Sequence, residues 1–155
     1  MLTFDEIFMR EALKAARLAQ EEDEVPIGAV ITYKGQIIAK AHNQVELLKD
    51  PTAHAEMIAI TQAASARSQK WLEDCCLYVT VEPCSMCAGA IVLARLSRVC
   101  FGAPDPKAGA CGSVVDLLDH KNLNHHPKVV RGICADDCAG ILSGYFKKKR
   151  AMGKK

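Results

Sequence analysis

The chain has 155 residues, half of them hydrophobic, and a formal net charge of +2. That length suits one domain with a buried core, and no apolar run approaches the roughly eighteen residues of a membrane helix. The N-terminus MLTFDEIFMREALKAA carries acids and no uninterrupted apolar stretch, so we expect no signal peptide, no membrane partner and a soluble cytoplasmic protein.

In chain order, a first helix is expected from about Phe4 to Gln20, with Phe4, Phe8, Ala12, Ala15, Ala16 and Ala19 on one stripe. The acidic run Glu21-Glu22-Asp23-Glu24 reads as a solvated turn. Ile27–Tyr33 and Gln36–Ala41 are strands of a hairpin joined through Lys34-Gly35. Asp50-Pro51-Thr52 reads as a helix start, with a capping Asp and a proline where its missing N–H does no harm. The helix should continue through Ala53–Ala66. Leu77–Val81 is a near-continuous β-type run, as in a buried central strand. A further helix is expected over Ser85–Arg95 and a fourth strand over Arg98–Gly102. The loose stretch Ala103–Pro127 follows, with a short helical patch near Val114–His120. Lys128–Val130 is a fifth strand. The closing helix starts near Ala135, its stripe being Cys138, Ile141, Leu142 and Tyr145; Gly140 and Gly144 within it would permit close packing. Helices alternating with strands after a hairpin imply an α/β fold, a mixed five-stranded sheet covered on both faces.

Two short clusters carry the chemistry: His54-Ala55-Glu56 and Pro83-Cys84-Ser85-Met86-Cys87. One imidazole and two thiolates can hold Zn²⁺ and leave a fourth position to water, which makes a site catalytic rather than structural. Both clusters fall at strand-to-helix junctions. His54 and Glu56 reach one ligand over a helix mouth, and Cys84 and Cys87, at i and i+3, share a helix face. The positive end of that helix favours thiolates. Glu56 is then free to move protons. The rival reading is a closed structural site in which Glu56 or another side chain fills the fourth position.

Eight cysteines without a secretory signal are expected as thiols. Cys75, Cys76, Cys100, Cys111, Cys134 and Cys138 read as small buried hydrophobes. Charge is uneven along the chain. Of 20 Lys and Arg, six lie in residues 147–155 without an acid, leaving 14 against 18 acids, a net of −4 on the rest. That tail reads either as a solvated helix end or as a nucleic-acid contact.

H-x-E…P-C-x-x-C is the signature of zinc nucleobase deaminases. With Glu24–Ala29, Ala41-His42-Asn43, Pro51–Glu56, Val81–Ala90, Phe101-Gly102-Ala103, Asp105–Gly109 and the basic end, the chain resembles the bacterial homodimeric tRNA-specific adenosine deaminase family, within the cytidine deaminase-like superfamily. The resemblance covers nearly the full length. It implies a three-layer α/β/α fold and one domain over residues 1–155 with a basic tail at about 147–155. It also implies one Zn²⁺ per chain and conversion of adenosine to inosine at the wobble position of a tRNA anticodon stem-loop by a homodimer. His54, Cys84 and Cys87 match the zinc ligands and Glu56 the proton shuttle. Asn43 matches a residue that holds the target nucleoside, though it also reads as a turn-capping Asn. Asp105 and Lys107 match an anticodon-contacting loop, and Asn124 and His125 a further substrate-side loop. Tyr145, Phe146, Lys147, Lys148, Lys149 and Arg150 match the RNA-binding end. Tyr145-Phe146 stands where the family usually has Phe-Phe, and a tyrosine can also stack on a base. His42, His120 and His126 read as surface or core histidines. The alternatives are a deaminase of a free base or nucleoside (cytosine, cytidine or guanine type) and a zinc-stabilised RNA-binding module.

Overall fold

Thr3 opens the first helix, α1 (Phe4–Glu21), in the computed structural model, which describes residues 1–153. Lys154 and Lys155 of the basic tail lie outside the described residues. The Thr3 hydroxyl accepts the Glu6 N–H, and Asp5 and Glu6 place negative charge at the positive helix end. Met9, Ala12, Leu13, Ala15, Ala16 and Ala19 are buried. Phe4, expected on that stripe, is 77% exposed. Phe8 instead packs on Tyr78, ring centroids 5.3 Å apart.

Strands β1 (Gly28–Tyr33) and β2 (Gln36–His42) form the expected hairpin. Its two turn residues, Lys34 and Gly35, both have positive φ (51° and 75°), as a tight twisted hairpin requires. The chain continues through α2 (Val45–Leu48), α3 (Ala55–Arg67), β3 (Cys75–Val81), α4 (Ser85–Ala94), β4 (Arg98–Ala103), β5 (Lys128–Arg131) and α5 (Ala135–Ala151). The sheet order is β2-β1-β3-β4-β5, with β1 antiparallel to β2 and β3, and β3, β4 and β5 parallel.

Side chains alternate across the sheet and build a core on each face. Ile31, Leu77, Val79, Val99 and Phe101 pack with Ala59 and Ala63 of α3 and Ala88 and Ile91 of α4. Val30, Tyr78 and Cys100 pack with Met9, Ala12 and Leu13 of α1 and Cys138 of α5. The result is the expected three-layer α/β/α arrangement. Gly28 and Gly102 set its tightness, since a Cβ at Gly28 would overlap the Ala12 carbonyl and one at Gly102 the Cys138 thiol. The registers Gly28↔His42, Ala29↔Val79 and Val81↔Ala103 bring the start of β1 and the ends of β2, β3 and β4 to one edge. Ligand sites in open α/β sheets form outside such strand ends.

Several expectations are corrected. Asp50-Pro51-Thr52 is a turn rather than a helix start. Asp50 Oδ1 accepts the Thr52 N–H (2.8 Å) and hydroxyl (2.7 Å), and this local bonding replaces a cap. Val114–His120 forms no helix: Gly112 N donates to Val115 O and Leu117 N to Ala110 O, so the N–H groups close turns. Gly140 and Gly144 face open space, with no atom within 4 Å of a Cβ there. The short helix α2 has too few residues to show a periodicity in the sequence.

Asp5 fastens α1 to the sheet. Its carboxylate accepts bonds from Arg98 Nη1 and Nη2 and from the Tyr78 hydroxyl, each at 2.7 Å. The Arg98 hydrogen bond, ahead of the other influences, holds the Asp5 carboxyl below its ordinary value. We expect Asp5→Asn to cost about 1–2 kcal/mol at pH 7, a charged hydrogen bond partly screened by solvent. With the folded pKa below the unfolded value near 3.9, the stabilisation is complete above that value and is lost as pH falls through the folded pKa. Urea denaturation should therefore show the gap between wild type and variant closing below about pH 4. A gap that stays constant into acid would refute the ion pair.

Candidate active site

Helices α3 and α4 begin at the shared sheet edge, and their N-cap residues are His54 and Cys84. Both have extended backbones, and the structure shows no helix-capping hydrogen bond from either side chain. An N-cap normally satisfies orphan N–H groups, so these two positions are released for other work. Asn43 takes over the task for α3. It is 4% exposed, and its Oδ1 accepts the Ala55 N–H at 2.8 Å.

His54 Nδ1 lies 3.6 Å from Sγ of both Cys84 and Cys87, and the three ligand atoms are all within 4.8 Å of one another. Among the described residues this is the one group of three His, Cys, Asp or Glu side chains placed to share a metal ion. Hydrogen bonds from Cys87 and then His54 draw the Cys84 thiol down to about 3. Donating that bond to the Cys84 sulfur raises the His54 imidazole. The pairing with Cys84 pushes the Cys87 thiol up, and the thiolate is the form that binds metals.

Glu56, the second residue of α3, is 2% exposed. Burial pushes its carboxyl up to about 7, and its Oε1 has no hydrogen-bond partner. A buried orphan acceptor beside a metal-ligand trio is poised to take up and release a proton.

A cavity of about 1150 Å³ adjoins this centre, lined by Asn43, His54, Leu47, Tyr145, Phe146 and Lys149 among others. The end of α5 therefore forms one wall of the cavity that His54 and Asn43 share. Tyr145 is only 9% exposed and meets Phe146 edge-on, whereas Phe146 is 44% exposed. Phe146, not Tyr145, is the ring available for stacking. Lys149 pairs with Asp23 at 2.7 Å, while Lys147, Lys148 and Arg150 are exposed.

The other candidates lie outside this cavity's lining. Asp105 Oδ1 accepts the N–H groups of Lys107 and Ala108, which makes a turn and leaves Lys107 exposed. Asn124 is exposed, and His125 Nε2 sits 2.6 Å from the Leu96 carbonyl, after α4. The structure does not bring that pair to the metal-ligand end of α4.

Two carboxylates escape the sequence reading. Glu24 is 1% exposed rather than solvated, and its oxygens accept the Glu46 (2.9 Å) and Leu47 (2.8 Å) N–H groups at the start of α2. Glu82 is 2% exposed and bonded by the loop after β4. Its signal is a charge placed between a buried strand and Pro83, a position that only full hydrogen bonding makes tolerable.

Residues 4–150 match the MafB19-like deaminase family. The tRNA-specific adenosine deaminase of Bacillus subtilis (strain 168) is 48% identical over 157 residues, covering 99% of this chain and 98% of the relative. A solved structure of a tRNA:A34 deaminase, studied for A-to-I editing at the wobble position of transfer RNA, superposes with a TM-score of 0.85. It is 46% identical and covers 88% of this chain and 99% of its own. The guanine deaminase of Bacillus subtilis is more distant, at 35% identity and a TM-score of 0.63 over 79% of this chain and 82% of its own. With two cores around one mixed sheet and a His-Cys-Cys trio at its edge, this chain belongs to the MafB19-like deaminase family and, within it, to the tRNA-specific adenosine deaminases.

Proposed function

We propose that this protein is a zinc-dependent hydrolase that converts adenosine to inosine at the wobble position of a tRNA anticodon. The observation that carries the reading is the trio His54, Cys84 and Cys87 beside the orphan carboxyl oxygen of buried Glu56. Tetrahedral Zn–N and Zn–S bonds of about 2.0 and 2.3 Å separate N from S by about 3.5 Å. The 3.6 Å spacings fit that geometry. Bound there, zinc would supply a Lewis acid that makes water nucleophilic at neutral pH.

The residues divide the remaining work. Glu56 takes a proton from the attacking water, gives it to N1 of the purine, and carries a second to the amino group that leaves as ammonia. A carboxyl near 7 can accept and return protons at neutral pH. Asn43 has its Oδ1 committed to Ala55, so its NH₂ group is what it offers the nucleoside, as a donor. Phe146 gives a stacking face on the cavity wall, and Lys147, Lys148, Lys149 and Arg150 supply cations for the phosphates beside it. Lys107 extends the basic contact from the loop after β4, with Asp105 shaping its turn. Asn124 and His125 are assigned to the substrate by resemblance alone. Exposed Leu93, Val114 and Val115 (79, 55 and 48%) support a homodimer of single-domain chains. No helix of the described residues is long and apolar enough to cross a membrane, which is consistent with work on tRNA in the cytoplasm.

Incubation with an anticodon stem-loop carrying a wobble adenosine, and separately with free nucleosides and bases, tests the substrate. Inosine in the stem-loop is expected; deamination of guanine or cytidine alone would favour the small-substrate reading. Cys87→Ala should lose most of its zinc by metal analysis, and full retention in a folded variant would overturn the ligand set. Glu56→Gln should keep zinc and fold while turnover drops ~10²–10⁴-fold, the usual share of a general acid–base group. More than a tenth of wild-type turnover would contradict the shuttle. Neutralising Lys147, Lys148 and Arg150 together should weaken stem-loop binding and flatten its log–log salt dependence by ~0.7–0.9 for each phosphate no longer neutralised. Unchanged affinity at every salt concentration would make that helix end a solvated surface only.

A further inference from the structure

Glu82 stands directly before Pro83 and Cys84, and a carboxylate so deeply buried must be fully bonded. The donors to its carboxylate all come from one loop. Oε1 accepts the Asp105 N–H at 3.1 Å and the Ser113 hydroxyl, and Oε2 accepts the N–H groups of Cys111 (3.0 Å) and Ser113 (3.1 Å). Gly109 completes the enclosure, because a Cβ there would overlap the Glu82 carboxyl.

The same loop is laced to the backbone around Cys84. Ala110 N donates to Pro83 O at 2.8 Å, Gly109 bridges to Cys84, and Glu82 N donates to Ala103 O at 2.8 Å. Residues 104–113 have no helix or strand of their own to fix them. Their shape is set by wrapping round one carboxylate. Lys107 rides on that loop, exposed and without an ion pair among the described residues.

We propose that Glu82 is a positioning residue. It locks the loop of residues 105–113, and Lys107 with it, to the segment that presents Cys84, so that a phosphate held by Lys107 lies at a fixed distance from the reacting centre. Glu82 itself touches neither substrate nor the metal-ligand atoms. The role rests on the RNA-deaminase reading above.

Glu82→Gln, Lys107→Ala and the double variant test it, each as the full zinc-loaded chain. Glutamine replaces one acceptor oxygen by an NH₂ that faces N–H donors. In Glu82→Gln, amide exchange at Cys111 and Ser113 should quicken about tenfold or more. KM for the wobble-adenosine stem-loop should rise about five- to tenfold with a smaller change in kcat, and zinc should stay at one per chain. Lys107→Ala should raise KM in the wild-type background and add little in the Glu82→Gln background, since the lysine is already misplaced. Ser113→Ala, which removes only the hydroxyl donor, should show the same pattern more weakly and serves if Glu82→Gln does not fold. Equal effects of Lys107→Ala in both backgrounds, or unchanged exchange at Cys111 and Ser113, would overturn the proposal. A wild-type enzyme inert toward the stem-loop would instead overturn the RNA reading, whatever the exchange data show.

Discussion

Two helices start at one point of one sheet edge, and the site is built on that convergence. Each N-terminus presents unpaired N–H groups and a partial positive charge. The N-cap side chain would ordinarily answer both, yet here the two caps are His54 and Cys84, which bond to each other and show no capping hydrogen bond to their helices. For α3 the demand is met from outside, by the Asn43 amide oxygen. Asn43 is held in turn through its own N–H, which donates to Ile27 O at 3.1 Å across the β1–β2 edge. The hairpin's register therefore reaches the metal-ligand trio through a single side chain.

Three buried glutamates show how the fold separates support from chemistry. Glu24, Glu56 and Glu82 are each no more than 2% exposed. Glu24 and Glu82 are satisfied by backbone N–H groups of the segments they organise. Glu56 leaves one oxygen without a partner. For Glu82 and Glu56, opposite satisfaction goes with opposite titration. Hydrogen bonds hold Glu82 below its ordinary value, whereas desolvation lifts Glu56 to about 7. A bonded carboxylate is a structural strut, and an unbonded one is a proton carrier in waiting.

Much of this is legible in the sequence, for physical reasons that also mark where legibility stops. The strands and long helices declare themselves through periodicities that a 155-residue chain can hardly disguise. The trio is legible because a metal needs specific donors at specific spacings, and few other demands place His, Glu, Cys and Cys so. Glu24 hides because Glu21, Glu22 and Asp23 beside it are exposed, and nothing local distinguishes the one that turns inward. Residues 104–127 mislead for a related reason. Their backbone bonds go to Glu82, to the Pro83 carbonyl and to one another, so the sequence near Val114 carries helical composition without helical bonding. His125 is the converse case: resemblance suggests a substrate role, and the fold ties its ring to the Leu96 carbonyl.

The end of α5 joins the chemistry to the surface. Lys149 reaches Asp23 and lies 5.4 Å from the Tyr145 ring, so it binds the helix to the turn after α1 and closes the cavity wall. That cavity is acidic on one side, with Glu22, Asp23, Glu24 and Glu46 in its lining. Glu24 has its oxygens hydrogen-bonded by the Glu46 and Leu47 N–H groups, and Asp23 is paired with Lys149. What remains is an opening with one acidic side, while the cations Lys147, Lys148 and Arg150 stand exposed on α5. On the proposed reading, a polyanion would enter along the α5 side, where the cations are, and not along the turn after α1. A lone neutral nucleoside would gain nothing from that asymmetry, which is the electrostatic reason to read the opening as shaped for a phosphate-bearing strand.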